Sequence, residues 1–279
     1  MLKLILITLL ALIALAGNSV FARLALAGSD LDPASFTIIR LLAGALCLST
    51  LLWLRSTQPG NTKGRWVSAA ALFLYAAGFS FAYVSLDTGT GALILFGFVQ
   101  LTMILAGLLK GQRLTALEIA GTLLAFAGLA YLMLPGAQSP SQSGFLLMAG
   151  AGISWGVYTL LGRQSSDAIG DTAWNFIRTL PMTLLLAVPF LNTLQWDTYG
   201  VWMAVASGAL TSGLGYVLWY QVLRHLTMTL AGVLQLSVPL LAAVGGILFA
   251  SEPITLGFVL ASALILGGIG LVIAGRRAT

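Results

Sequence analysis

The chain has 279 residues, of which 59% are hydrophobic and only 8% are charged, and its formal net charge is +5 at pH 7. Soluble domains carry roughly 25% charged residues, so this composition excludes a soluble globular protein and indicates an integral membrane protein. The basic residues are spread along apolar segments and form no basic folded domain, which excludes a nucleic-acid-binding surface.

Ten apolar runs follow one another along the chain, and each reaches or nearly reaches the roughly 20 residues that a membrane-spanning helix needs. Short polar breaks separate the runs, and no connection is long enough to hold a soluble domain. We therefore predict an all-α integral membrane protein with ten transmembrane helices. The predicted helices cover residues 3–27, 33–54, 65–85, 91–109, 115–133, 144–163, 172–190, 198–220, 227–250 and 255–275.

The first run has features of a secretory signal peptide, namely Lys3, an apolar core and the small-residue sequence Ala-Leu-Ala at 25–27. It is longer than such a core and contains Asn18 and Arg23. We predict that it is retained as the first spanning helix.

With ten spans both termini lie on the same side of the membrane. The connections and termini on that side contain Lys3, Arg55, Lys63, Arg65, Lys110, Arg113, Arg163, Arg224, Arg276 and Arg277. The connections on the opposite side contain Asp and Glu but neither Lys nor Arg. Because cytoplasmic loops carry an excess of Lys and Arg, we predict that both termini are cytoplasmic.

The two halves of the chain resemble each other weakly. Residues 83–128 correspond to residues 220–268 once a three-residue gap is allowed. In the second and seventh runs the correspondence pairs Arg40 with Arg178. These matches indicate an internal duplication.

Five spans in each half is an odd number, so the second copy must enter the membrane upside down relative to the first. Inverted repeats are a recurring plan of secondary transporters, with the substrate site near the midplane. We predict a first five-helix repeat at 1–134 and an inverted second repeat at 144–275. The Ser/Gln/Pro-containing stretch 136–143 would link them.

These features together resemble a known family. The two five-helix halves, the segment FTIIRLLAGAL at 36–46, the segment VPLLAAVGGILFASEPIT at 238–255 and the glycine-rich last helix resemble the EamA-type branch of the drug/metabolite transporter superfamily. Members of that family move small metabolites, and the aromatic amino acid exporters of bacteria are a well-known group. The resemblance implies a multi-pass protein of the bacterial cytoplasmic (inner) membrane.

The resemblance also implies a central cavity lined by helices 1, 3, 4, 6, 8 and 9, with helices 5 and 10 behind it. The family's proline and glutamate of the ninth-helix segment match Pro239 and Glu252. The first half departs from this pattern, because Gln112 stands where the glutamate would be and the fourth helix has no proline.

Two kinds of residue are candidate substrate contacts. Aromatic residues recur at helical spacing in the predicted helices 3, 6 and 8, so each set shares one helix face. Neutral amides lie in otherwise apolar helices, where buried amides need hydrogen-bond partners. The predicted substrate-binding residues are Asn18, Tyr75, Phe79, Tyr83, Gln100, Trp155, Tyr158, Tyr216, Tyr220 and Gln235. Such a lining suits a small zwitterion or an aromatic or cationic amphiphile; the alternative is that the rings only pack helices or form interfacial belts.

Three arginines fall within predicted helices, where a charge is costly. We expect Arg23 to extend to the outer surface. Arg40 and Arg178 either hold a substrate carboxylate or, as we expect, tie helices together by donating to backbone carbonyls. No carboxylate lies near the predicted membrane centre, so we expect facilitated or weakly coupled transport.

No catalytic constellation is evident in the sequence. The one histidine, His225, is predicted in a cytoplasmic loop, and the one cysteine, Cys47, is predicted to be a buried apolar residue. We predict no enzymatic activity, no cofactor and no metal. An intramembrane enzyme is therefore disfavoured.

We predict a secondary transporter that exports small metabolites by alternating access, with amino acids, aromatic ones among them, as substrates. Multidrug or quaternary-amine efflux is an alternative, ranked lower because no acidic group is evident in the cavity. A non-transporting scaffold or receptor is an alternative of another class. Partners other than the solute and membrane lipids are not expected, and since duplication builds a pathway in one chain we expect a monomer.

Overall fold

The computed structural model describes residues 2–54, 64–109, 111, 114–134, 140–163, 165–223, 225–226, 234–235 and 237–277, and these residues form helices and their connections, with no strand. The helices are α1 (Leu2–Gly28), α2 (Pro33–Leu54), α3 (Trp66–Tyr83), α4 (Thr88–Leu109), α5 (Ala116–Leu132), α6 (Gln142–Gly162), α7 (Ala168–Ala187), α8 (Thr198–Leu223), α9 (Ser237–Ala250) and α10 (Leu256–Arg277). Their ends agree with the predicted runs to within about one helical turn. The exception is the ninth run, whose beginning lies outside the described residues apart from Leu234 and Gln235, which are helical. Gln112 and residues 136–139 of the predicted linker also lie outside them.

Polar residues in the breaks between the apolar runs cap the helices that follow. Asp32, Asp167 and Asp197 each accept a hydrogen bond from a backbone N–H in the first turn of α2, α7 and α8, at 2.7–3.2 Å. Thr115 and Glu118 form a reciprocal capping box at the start of α5. Because the first N–H groups of a helix have no intrahelical partner, these residues determine where each helix begins.

Seven of the described helices, namely α1, α2, α3, α4, α6, α8 and α10, are long and apolar enough to span a membrane. Helices α5 and α9 are apolar but shorter, and α7, which contains Asp171 and Arg178, is not among the candidates. Leu74, Leu123 and Leu184 are more than half exposed on the outside of the bundle. Exposed apolar side chains on several helices are typical of a lipid-facing surface. The full set of ten spans stays a prediction.

Contacts between helices repeat when α1–α5 are matched in order with α6–α10. Helix α3 packs on α6 as α1 packs on α8, and α4 packs on α6 as α1 packs on α9. The pairs α2–α7, α4–α9 and α5–α10 correspond to themselves. A two-fold relation between the halves would produce this pattern, whereas their direction in the membrane stays a prediction.

Glycine lets α5 and α10 approach until their backbones touch. A Cβ atom at Gly268 would lie 2.6 Å from the backbone nitrogen of Ala125 and 2.5 Å from the carbonyl oxygen of Gly121. Gly152 and Gly156 bring α6 against α4 in a similar way. Small residues at contacts are favoured in lipid because helix association there depends on close van der Waals packing.

Gly268→Ala should destabilise the protein, whereas Gly267→Ala on the same helix should not. The added methyl group at 268 meets backbone atoms that cannot move independently, and overpacking of this kind costs about 1–3 kcal/mol. A Cβ at Gly267 meets nothing within 4 Å, and both variants gain the same helix propensity. Melting temperatures of the purified proteins in detergent would measure the difference, and equal melting temperatures would contradict the close approach of α5 and α10.

Candidate functional site

A line of aromatic rings begins at the end of α3 and leads into the interior of the bundle. The ring centroids of Tyr83 and Phe79 are 4.7 Å apart, and those of Phe79 and Tyr75 are 5.3 Å apart. Tyr75 in turn lies 4.9 Å from Trp155 on α6. The spacing of four residues on α3 therefore aligns three rings, as predicted, and delivers the last of them to a second helix.

The line continues from α6 to α8. Trp155 lies 4.6 Å from Tyr216 and 5.5 Å from Tyr158, and Tyr158 stacks on Tyr220 at 5.6 Å. All seven rings of the line are between 0 and 3% exposed. They contact one another instead of surrounding an open space.

Other aromatic residues differ from this line in position and exposure. Trp53, Trp66, Trp196 and Trp202 lie near helix ends and are 56–83% exposed, which is typical of residues at membrane–water interfaces. The interfacial interpretation therefore fits these four tryptophans and not the seven rings of the line.

A polar cluster lies beside the middle of the aromatic line. Arg40 on α2 donates from Nε to Ser212 Oγ at 3.0 Å and from Nη2 to the hydroxyl groups of Tyr75 and Tyr216 at 2.9 and 3.0 Å. The Tyr216 hydroxyl also accepts from Asn18 Nδ2 at 3.1 Å. One guanidinium thus connects α2 to the rings of α3 and α8, and Asn18 connects α1.

The amide oxygen of Asn18 accepts three hydrogen bonds from α8. The donors are the hydroxyl groups of Ser207, Thr211 and Ser212, at 2.9, 2.8 and 3.0 Å. These residues belong to a π-helical segment, Ser207–Leu214, in the middle of α8. The wider i→i+5 turn brings all three hydroxyls to one side of the helix, and such segments occur frequently at functional sites.

Glycines bring α2 and the π-helical segment into direct backbone contact. Gly208 lies against the carbonyl oxygen of Arg40. A Cβ atom at Gly44 would lie 3.0 Å from the carbonyl oxygen of Gly208 and would overlap the Phe176 ring. This contact holds the backbone of Arg40 beside the hydroxyls that its side chain binds.

Arg40 ties helices together as expected, but its bonds go to side-chain hydroxyls, so the expected backbone carbonyl acceptors are wrong. Its guanidinium carbon also lies 5.1 and 4.7 Å from the ring centroids of Tyr75 and Phe79, and the residue is 1% exposed. Arg178 is only half-buried and lies over the Trp66 ring at 5.3 Å. The two arginines that the repeat pairs therefore have different surroundings.

Gln100 on α4 and Gln235 are buried, but no hydrogen bond or ring contact within the described part of the chain joins them to the cluster. The amide nitrogens of both residues have no hydrogen-bond partner there. The same is true of Arg40 Nη1 and Trp155 Nε1. These four buried groups are all donors.

Ionic contacts close one end of the bundle, where α1 meets the start of α4 and the α9–α10 connection. Arg23 donates from Nε to Glu252 at 2.9 Å and from Nη2 to Asp87 at 3.2 Å. Glu252 also accepts from the backbone N–H of Thr88 at 2.9 Å. The Arg23 side chain is 20% exposed and pairs with two carboxylates at this end of the bundle, and its extension to the outer surface stays a prediction.

The structure brings together eight of the ten predicted site residues, namely Asn18, Tyr75, Phe79, Tyr83, Trp155, Tyr158, Tyr216 and Tyr220. A small cleft of about 30 Å³ beside Asp87 and Glu252 has room for water molecules only. Sequence reasoning missed Ser207 and Thr211, although residues four apart share a helix face; that Ser212 joins them on one side depends on the π-helical turn. The Arg23–Glu252 pair joins residues 229 positions apart, and no spacing in the sequence indicates it.

Comparison with known proteins identifies relatives along the whole chain. The profile of the EamA-like transporter family matches residues 2–134 and, a second time, residues 142–274. A solved crystal structure with 21% sequence identity has the same fold, with a TM-score of 0.67 and coverage of 97% of both chains.

Two sequence relatives extend the comparison. An uncharacterized protein of Pseudomonas aeruginosa is 49% identical over 272 residues, which is 98% of this chain and 95% of the relative. The uncharacterized transporter YoaV of Bacillus subtilis is 24% identical over 86% of this chain and 87% of its own length.

Substitutions at Asn18 should separate the charge of the cluster from its hydrogen bonds. Asn18→Leu leaves the hydroxyls of Ser207 and Ser212 without their acceptor, while Thr211 can still donate to the Ser207 carbonyl at 3.0 Å. Each unsatisfied buried group costs about 1–3 kcal/mol. Asn18→Asp keeps the acceptor, loses the donor to the Tyr216 hydroxyl and places a carboxylate one hydroxyl away from Arg40. The attraction to Arg40 offsets the lost hydrogen bond, so the melting temperature should stay close to that of the wild type. Asn18→Asp combined with Arg40→Gln should lower the melting temperature strongly, because the new carboxylate is then buried without a cation. A drop of equal size with and without Arg40 would contradict this electrostatic picture.

Proposed function

Because the chain belongs to the EamA-like transporter family, and is therefore a multi-pass membrane transporter of small solutes, we propose that it exports amino acids, aromatic ones among them, by alternating access. The observation that supports this substrate class most is the line of seven buried rings with the Arg40–Asn18 cluster at its middle. The rings can stack on the aromatic side chain of a solute, and the Arg40–Asn18 cluster can bind the polar groups of that solute. The outward direction follows the resemblance to bacterial exporters.

We propose that ten helices cross the bacterial cytoplasmic membrane as two inverted repeats, at 1–134 and 144–275, with both termini in the cytoplasm. The paired helix contacts and the two separate family matches support the duplication. The one-sided distribution of Lys and Arg supports the orientation. A duplicated chain can build the whole pathway alone, so we propose a monomer.

In this orientation the aromatic line runs across the membrane. Helix α3 ends at Tyr83 on the acidic, outer side, whereas Tyr220 lies near the end of α8 on the basic, cytoplasmic side. Tyr75, Trp155 and Tyr216 lie between them. The rings therefore follow the route that a solute would take between the halves.

The rings at the middle of this route are closed on one another. A solute would have to separate Tyr75 on α3 from Trp155 on α6 and Tyr216 on α8. Because Tyr75 belongs to the first half of the chain and the other two rings belong to the second, rocking of one half against the other would open the route on one side at a time. The Arg23–Glu252 pair would hold the outer end shut.

Quaternary-amine efflux is the weaker transporter alternative. Aromatic faces attract cations, but a guanidinium already lies against Tyr75 and Phe79. A second positive charge beside Arg40 would be repelled. A non-transporting scaffold would gain only packing from a buried cluster that joins four helices of both halves, and would not need the donors that stay unused among the described residues.

Counterflow in proteoliposomes with a panel of labelled amino acids tests the proposed function, and efflux from preloaded cells tests its direction. Trp155→Ala and Tyr158→Ala should reduce counterflow several-fold, since an aromatic pair contributes about 0.5–1.5 kcal/mol beyond its buried area. Trp155→Phe, which preserves most of the packing, should show a smaller loss. Phe126→Ala, on the exposed side of α5, serves as the control. Unchanged counterflow in both alanine variants would remove these residues from the site.

Labelling of a buried cysteine should report whether the Arg23–Glu252 ion pair keeps the outer end of the route closed. Ser19→Cys, placed in a Cys47→Ala background, lies one helical turn inside Arg23 and replaces a residue that is 1% exposed. Glu252→Gln should accelerate its labelling by a membrane-impermeant maleimide about fivefold, the effect of about 1 kcal/mol on an opening equilibrium. Asp87→Asn is the matched control with a smaller effect, because the Asp87 side chain is 58% exposed and its pair is screened. Identical rates with and without Glu252→Gln would exclude the closure.

A further inference from the structure

Arg40 is the one arginine among the described residues whose side chain is almost completely buried without a carboxylate. The two ion pairs within the described part of the chain both belong to Arg23. Arg40 is 1% exposed, and its three hydrogen bonds go to neutral hydroxyls. Among the described residues, its positive charge therefore has hydrogen-bond partners and no counter-charge.

Such an arrangement is expensive inside a bilayer. A buried charge that lacks a partner of opposite sign loses its hydration without an equivalent gain. The rings of Tyr75 and Phe79 at 5.1 and 4.7 Å offset part of this through cation–π contact. They carry no net charge, so an anion would still be attracted to the guanidinium.

The unused donors of this region match a carboxylate. Arg40 Nη1 and Trp155 Nε1 are buried donors without a partner in the described structure. The Trp155 ring contacts both Tyr75 and Tyr216, whose hydroxyl groups bind Arg40. A carboxylate offers two oxygens and a negative charge, and guanidinium binds it more strongly than any neutral acceptor.

We propose that Arg40 binds the carboxylate of the transported solute, while the solute's side chain lies against Trp155. This inference rests on the proposed function and narrows it: the solute must carry a carboxylate, and its amino group is secondary. Amides and decarboxylated amines of the same shape should be poor substrates. Quaternary amines should not be transported.

A purely structural role for Arg40 makes a different prediction. If Arg40 only ties α2 to α3 and α8, its replacement lowers stability and affects all solutes equally. If it binds the carboxylate, its replacement changes the ratio between acids and their amides. The ratio is therefore the informative measurement, because a loss of folded protein cancels from it.

The experiment measures counterflow by the full-length protein of L-phenylalanine, phenylalaninamide, 3-phenylpropanoate and phenethylamine. The wild-type protein should prefer the two acids by about 10- to 100-fold, the effect of a hydrogen bond to a charged group. Arg40→Gln should bring the acid-to-amide ratio close to one. Arg40→Lys should keep part of the preference, because it retains the charge and loses the planar fork. Arg178→Gln is the matched control and should keep the wild-type ratio.

Asn18→Asp provides a second arm that does not require Arg40 to be replaced. Its carboxylate would lie one hydroxyl from Arg40 and compete with the solute, so the acid-to-amide ratio should fall while the melting temperature holds. An acid-to-amide ratio near one in the wild-type protein would overturn the role of Arg40. The same follows if Arg40→Gln keeps the preference of the wild-type protein for acids. Neither result would contradict transport itself. Absence of counterflow for every amino acid and analogue would instead overturn the proposed function.

Discussion

Burial of the Arg40 charge is the constraint around which the interior of the protein is arranged. In lipid no water can hydrate a guanidinium, so the protein must supply the acceptors itself. Tyr75 on α3 and Ser212 and Tyr216 on α8 do so, so both of these helices have to be held against α2. The backbone contact between Gly208 and Arg40 and the π-helical turn of α8 are both parts of this arrangement. The polar cluster is therefore also a packing centre for α1, α2, α3 and α8.

The helices themselves are predictable because the bilayer fixes their length and removes every alternative for the backbone. Runs of about 20 apolar residues end at Asp, Ser or Pro, and the Asp and Ser residues cap the helices that follow. The π-helical segment of α8 is not predictable in this way. It depends on three hydroxyls converging on Asn18, a residue about 190 positions earlier, and nothing local in the sequence 207–214 favours the wider turn.

Helical periodicity predicts which residues of the site share a helix face, and that part of the site was predictable from the sequence. Spacing of three or four residues placed rings on common faces of α3, α6 and α8, and those faces meet. Periodicity does not specify what lies opposite a face. The repeat suggested that Arg40 and Arg178 have the same role, but only Arg40 faces tyrosines from both halves, whereas Arg178 lies over Trp66. Duplication preserves positions along the helices, and later substitutions around each copy determine the environment.

Closure of the aromatic line and the unused donors beside it belong to one physical argument. With the rings in contact, apolar surface is well packed, but Arg40 Nη1 and Trp155 Nε1 have no acceptor within the described residues, which costs free energy. A solute that only inserts a ring would break aromatic contacts and leave the donors unsatisfied. A solute that has an anionic group but no ring would satisfy the donors and leave the separated rings unpacked. A solute that carries both a ring and an anionic group replaces each contact that opening removes. A ligand can shift a conformational equilibrium only by the difference between its affinities for the two states, and such a solute binds the open state better. On the proposed role of Arg40, recognition of the solute and opening of the route are therefore the same event.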